Sequence, residues 1–63
     1  MILVTNAQYG DIIFEGEDDK ASVKFYCELK DLPGISHQRE DGIWVLTNGI
    51  ELDVIYSDDY FIV

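Results

Sequence analysis

The chain is poor in the residues that most chemistry requires. It has one cysteine, Cys27, so no internal disulfide can form and the usual Cys or Cys/His zinc spacings are absent. It has one histidine, His37, and one proline, Pro33. Bases are scarce: four Lys and Arg stand against thirteen Asp and Glu, a net charge of −9. Direct binding of nucleic acid or of an anionic membrane needs positive charge, so both are excluded as expectations. The longest apolar run is far short of a membrane-spanning helix. The start, "MILVTNAQYGD", lacks the basic and apolar regions of a signal peptide. A reducing setting is expected, cytoplasmic or inside a host cell.

What is present suits one small folded domain. Starting with Met, the 63 residues read as a complete small gene product and a single domain, 1–63. A chain of this length buries only about 60% of its unfolded surface, so marginal stability is expected. Hydrophobic residues make up 48%, too apolar for disorder despite the charge, and eight of them are aromatic.

The expected fold class is α+β: an antiparallel sheet of about five to six short strands, in the order ββαββββ, with one helix near residues 18–32 packed on one face. Residues 1–5 and 11–15 form an opening hairpin around a turn at 6–10. Residues 20–30 read at two periods. The helical reading puts Ala21, Phe25, Leu29 and Leu32 on one face, and Asp18 or Asp19 caps it before Leu32-Pro33-Gly34 stops it. The strand reading, with Val23, Phe25, Cys27 and Leu29 alternating, leaves an all-β small barrel or sandwich as the alternative.

From Ile35 onward every segment reads as strand, with Asp41-Gly42 and Asn48-Gly49 as hairpin signals. Taking both as two-residue loops sets Val45 opposite Leu52 and Ile43 opposite Val54 on a core face. Asp58-Asp59 as the next loop adds Tyr56 opposite Phe61 and Val54 opposite Val63. Trp44, Leu46, Ile55, Tyr60 and Ile62, interleaved with Glu51 and Asp53, then share the other face, which the opening hairpin or a partner should cover. Arg39 is expected opposite Trp44 as a cation–π pair. The polar segment 35–40 suits an exposed edge.

Charge is uneven. Residues 1–19 hold five acids and no base, residues 20–30 hold three Lys and Glu28, and residues 31–63 hold seven acids and Arg39. Glu15, Glu17, Asp18 and Asp19 form the densest cluster, with three readings: helix capping, a partner-binding patch, or a divalent metal loop. The last lacks the glycine and distal glutamate of an EF-hand, so no metal or other cofactor is expected. Catalysis is not expected either. His37 needs a positioned nucleophile, and in a regular strand Ser36 points to the opposite face.

A short, strongly acidic, folded chain without a catalytic set resembles small phage-encoded inhibitors, including anti-CRISPR and anti-restriction proteins. The resemblance is one of profile and not of motif, and no residue roles carry over from it. The expected function is that of a non-enzymatic interaction protein. It binds and inhibits a basic, nucleic-acid-binding protein partner, with nucleic-acid mimicry as the mechanism. An antitoxin against a basic toxin is a variant of the same reading. The expected partner-binding residues are Glu15, Glu17, Asp18, Asp19, Arg39, Trp44, Glu51, Asp53, Asp58 and Asp59. The alternative is a structural subunit that forms a homodimer within a larger assembly.

Overall fold

The computed structural model describes residues 1–56. Five strands and one helix follow one another as β1 (Ile2–Asn6), β2 (Gly10–Phe14), α1 (Asp19–Lys30), β3 (Ile35–Gln38), β4 (Trp44–Leu46) and β5 (Glu51–Tyr56). The strands form one antiparallel sheet in the order β2-β1-β5-β4-β3. The α+β reading holds. The further strand expected at 60–63, and its pairing with Val54 and Tyr56, lie outside the described residues.

The apolar start of the chain becomes β1, where Ile2, Leu3 and Val4 are buried between β2 and β5. The opening hairpin therefore lengthens the sheet and does not fold over its second face, contrary to one expectation. Asn6 sets the turn: its side-chain oxygen accepts from the amides of Gln8 at 2.7 Å and Tyr9 at 3.0 Å.

Residues 20–30 are helical, as favoured. The Asp18 carboxylate accepts from the amides of Lys20 and Ala21, satisfying donors that the first turn leaves free. Asp31 ends the helix in the left-handed conformation at φ 57° and ψ 48°, two residues before Pro33. The buried face differs from the expected one. Ser22, Val23, Tyr26 and Cys27 face the sheet, whereas Phe25 and Leu29 are 42% and 57% exposed. Two polar groups make this possible by finding backbone acceptors. Ser22 Oγ donates to the Asp19 carbonyl at 2.6 Å, and Tyr26 Oη donates to the Gly10 carbonyl at 2.7 Å.

The register of the second half also needs correcting. Gly42 N–H bonds the Arg39 carbonyl while Arg39 N–H bonds Ile43, and Gly49 and Leu46 repeat the arrangement with Ile50. Each loop thus holds three residues, 40–42 and 47–49, closed by a glycine at φ 93° or 88°. Asp41 and Asn48 each accept the amide two residues on, at 3.1 Å, which locks the turn. One extra residue per loop sets Trp44 opposite Leu52 and Gln38 opposite Trp44, so the side chains of β4 change face relative to the two-residue expectation while those of β5 keep theirs.

Trp44 and Leu46 consequently join the core of Ile2, Val4, Val23, Tyr26 and Cys27, to which Leu52 belongs as expected. Large side chains buried this way each contribute about 1.5–3 kcal/mol of transfer free energy. The helix lies over β1, β2 and β5 on this one face. No helix among the described residues is long and apolar enough to cross a membrane.

Candidate interaction surface

The sheet face away from the helix carries the side chains that alternate with the core set. Two rows cross it. Leu3 pairs with Ile13 on β2 and with Ile55 on β5, giving an apolar row in which Ile13 and Ile55 are 40% and 37% exposed. Two positions along, Thr5 pairs with Asp11 on one side and Asp53 on the other. Thr5 Oγ1 donates to the Asp11 carboxylate, while the Asp53 carboxylate has no hydrogen bond or ion pair among the described residues. Asp11 was not singled out in the sequence. The signal that could have found it is its place one residue after a turn glycine, which fixes its pairing with Thr5.

Glu51 continues the acidic row. It and Asp53 are both exposed on this face, as expected from their spacing on one strand. Adjacent β-strands lie about 4.8 Å apart and alternate residues about 7 Å along a strand, so Asp11, Asp53 and Glu51 are spaced by several ångströms. Arg39 is the cation beside them. Its Nη1 lies 2.8 Å from Glu51 Oε2, and its other nitrogens bond Asp41. These bonds hold the Asp41 carboxyl below its ordinary value and the guanidinium above its own, the Arg39–Asp41 hydrogen bond being the main cause of both.

The expected Arg39–Trp44 pair does not form. Trp44 lies on the core side, only 8% exposed, and its indole Nε1 is buried without a hydrogen-bond partner among the described residues. It does not belong to the open face on which it was expected.

The helix-entry acids have separate duties. Asp18 caps the helix. Asp19 accepts from the Lys20 amide at 2.9 Å and lies 3.5 Å from Tyr56 Oη, and its negative charge raises the Tyr56 phenol above its ordinary value. Glu17 lies 3.1 Å from the amino group of Met1, and Glu15 is exposed. This group follows the Phe14 end of β2, whereas the Asp11–Thr5–Asp53 row lies at the opposite end of the strands. The two sets are a cap and a separate patch, divided by the apolar Ile13–Leu3–Ile55 row. Asp58 and Asp59 lie outside the described residues.

Other reactive groups are arranged less favourably for chemistry. The Cys27 thiol is buried, and burial followed by the Glu28 charge raises its pKa above the ordinary value. A bulge at Ser36, between Ile35 and His37, breaks the expected alternation and brings Ser36 Oγ to 3.0 Å from His37 Nδ1. Both residues are exposed on an edge strand, and among the described residues no third group hydrogen-bonds to the imidazole. Among the described residues no His, Cys, Asp and Glu are grouped to hold a metal ion.

Comparison with known proteins adds no family: no family model, curated protein or solved structure matches the chain.

Proposed function

We propose that the chain is a non-enzymatic interaction protein that binds and inhibits a basic, nucleic-acid-binding protein through the open face of its sheet. The observation that carries this reading is the Asp11–Thr5–Asp53 row, continued by Glu51 and set beside an apolar row on the side that the helix leaves uncovered. All three lysines, Lys20, Lys24 and Lys30, belong to α1 on the other side. On the helix these bases are balanced by Asp18, Asp19, Glu28 and Asp31, whereas on the sheet side Arg39 is set among Asp11, Asp41, Glu51 and Asp53, so the denser negative charge steers a positively charged partner to the sheet. Carboxylates about 7–10 Å apart on a rigid sheet offer such a partner a spaced row of negative charge like that of phosphates, which is the basis for inhibition by mimicry. The apolar row supplies the contact that steering alone lacks.

The test is a competition assay with a basic DNA-binding protein recovered on the immobilised chain and released by salt. The wild type should displace labelled duplex from it, with an affinity that falls steeply as salt rises. The triple variant D11N/E51Q/D53N should compete at least about tenfold less well. Salt-independent competition that the triple variant retains in full would remove the reading.

A second reading, self-association, is favoured by the exposure of Ile13 and Ile55 on either side of Leu3. Sedimentation at micromolar concentration separates the two, since a strict monomer leaves the apolar row to another protein.

A further inference from the structure

The two edges of the sheet are built differently. β3 is interrupted by the bulge at Ser36, a device that spoils an edge for pairing. β2 has no bulge. Its five residues pair with β1 in unbroken register, from Asn6–Gly10 to Ile2–Phe14, and among the described residues its outer edge has no strand beside it. A groove of about 370 Å³ lies at the Phe14 end of this edge, lined by Ile13, Phe14, Glu15 and Phe25. Ile13 belongs to the open face and Phe14 to the helix face, so the groove wraps around the edge and is reached from both sides. Phe25 leans on Phe14 with ring centroids 5.6 Å apart, yet stays 42% exposed. An aromatic shelf and an unpaired strand thus stand side by side.

We propose that β2 is a strand-addition site that takes an extended, basic and apolar segment of the partner protein. Main-chain hydrogen bonds to the free edge supply the attachment, and side chains on the added strand supply the selection. On one face of that strand a large apolar side chain rests on Phe14 and Phe25. On the other, an aliphatic side chain meets Ile13. Asp11 and Glu15, at the two ends of this stretch and about 13 Å apart along it, call for Lys or Arg at both flanks. The same two acids disfavour a second copy of this chain. The antiparallel register that stacks Ile13 on its own copy sets Asp11 against Glu15 at both ends, a like-charge arrangement that opposes pairing. The partner's basic character is taken from the function proposed above; the edge and its groove are independent of it.

The experiment uses the full chain and a synthetic peptide, Ac-Ser-Lys-Phe-Val-Thr-Lys-Ser-NH2, followed by amide NMR titration. Resonances of residues 10–15 and of Phe25 should move together, and binding should vanish when alternate peptide nitrogens are methylated or when both lysines are replaced by glutamates. Ile13→Lys places a cation on the exposed edge without touching the core and should weaken binding by about tenfold. The pair E51Q/D53N, on β5, should leave peptide binding unchanged while weakening competition for the nucleic-acid-binding protein, which separates this site from the open face. Binding that survives nitrogen methylation, shifts confined to β5, or no binding at millimolar peptide would each overturn the proposal. A dimer held through β2 in sedimentation would assign the edge to a second copy instead.

Discussion

Tyr26 Oη lies 2.7 Å from the carbonyl oxygen of Gly10 and donates to it, tying the middle of the helix to the first residue of β2. The side chain is fully buried. Tyr26→Phe keeps the ring and removes this bond, and should cost about 0.5–1.5 kcal/mol. In a domain of this size each kcal/mol is worth about 4–8 °C in Tm, which a thermal melt resolves.

The same phenol sets an alkaline limit. Burial, then the charge of Asp11, raises its pKa above the ordinary 10.0. The folded state therefore holds the proton more tightly than the unfolded one. This contribution is fully present below pH 10 and is lost as pH rises through the folded-state value. Melts above pH 10 should show wild-type Tm falling more steeply than that of Tyr26→Phe.

Asp31 combines two unfavourable features: a left-handed backbone on a residue with a side chain, and a negative charge at the negative end of the helix. Asp31→Asn keeps the tolerance for that conformation and removes the charge. It should raise stability by about 0.3–1 kcal/mol in a denaturant titration at low salt.

Trp44 and Cys27 report on the core. Trp44 should emit at short wavelength and resist acrylamide quenching, and docking of a partner on the open face should leave its emission unmoved. Cys27 should react with a thiol reagent at the rate of unfolding, because its thiol is buried and its pKa is raised. Rapid labelling of the native chain would contradict the packing of α1.

Arg39 is the open face's own cation, bound to Asp41 and Glu51. Surface pairs of this kind add little to stability. Arg39→Gln should leave Tm nearly unchanged and speed association with a basic partner at low salt, a difference that stopped-flow mixing detects and that added salt erases.

The α+β architecture was readable from the chain because its strongest local signals agree. Asp18 caps the helix and Pro33 stops it, while Gly42 and Gly49 mark the turns. The faces of β4 were not readable, for a specific reason. Ile43 and Val45 are apolar, and so are Trp44 and Leu46, so a slip of one residue still yields an apolar face, and it leaves the faces of β5 as expected. Only the bonds from Gly42 to Arg39 and from Gly49 to Leu46 decide between loops of two and three residues. The helix misled in a similar way. Phe25 and Leu29 look like core by composition, but the core took Ser22 and Tyr26, whose hydroxyls reach carbonyls that the sequence does not display. The acidic patch was half readable: Glu51 and Asp53 follow from strand spacing, whereas Asp11 joins them only through the placement of β1 between β2 and β5.

The bulge at Ser36 has a consequence for stoichiometry. A sheet with two regular edges can pass pairing from copy to copy and grow into a fibre. Among the described residues only β2 offers an unbroken edge, and β3 cannot hand pairing on. Edge-on association is then limited to one added strand, so a complex formed there should close at one partner per chain.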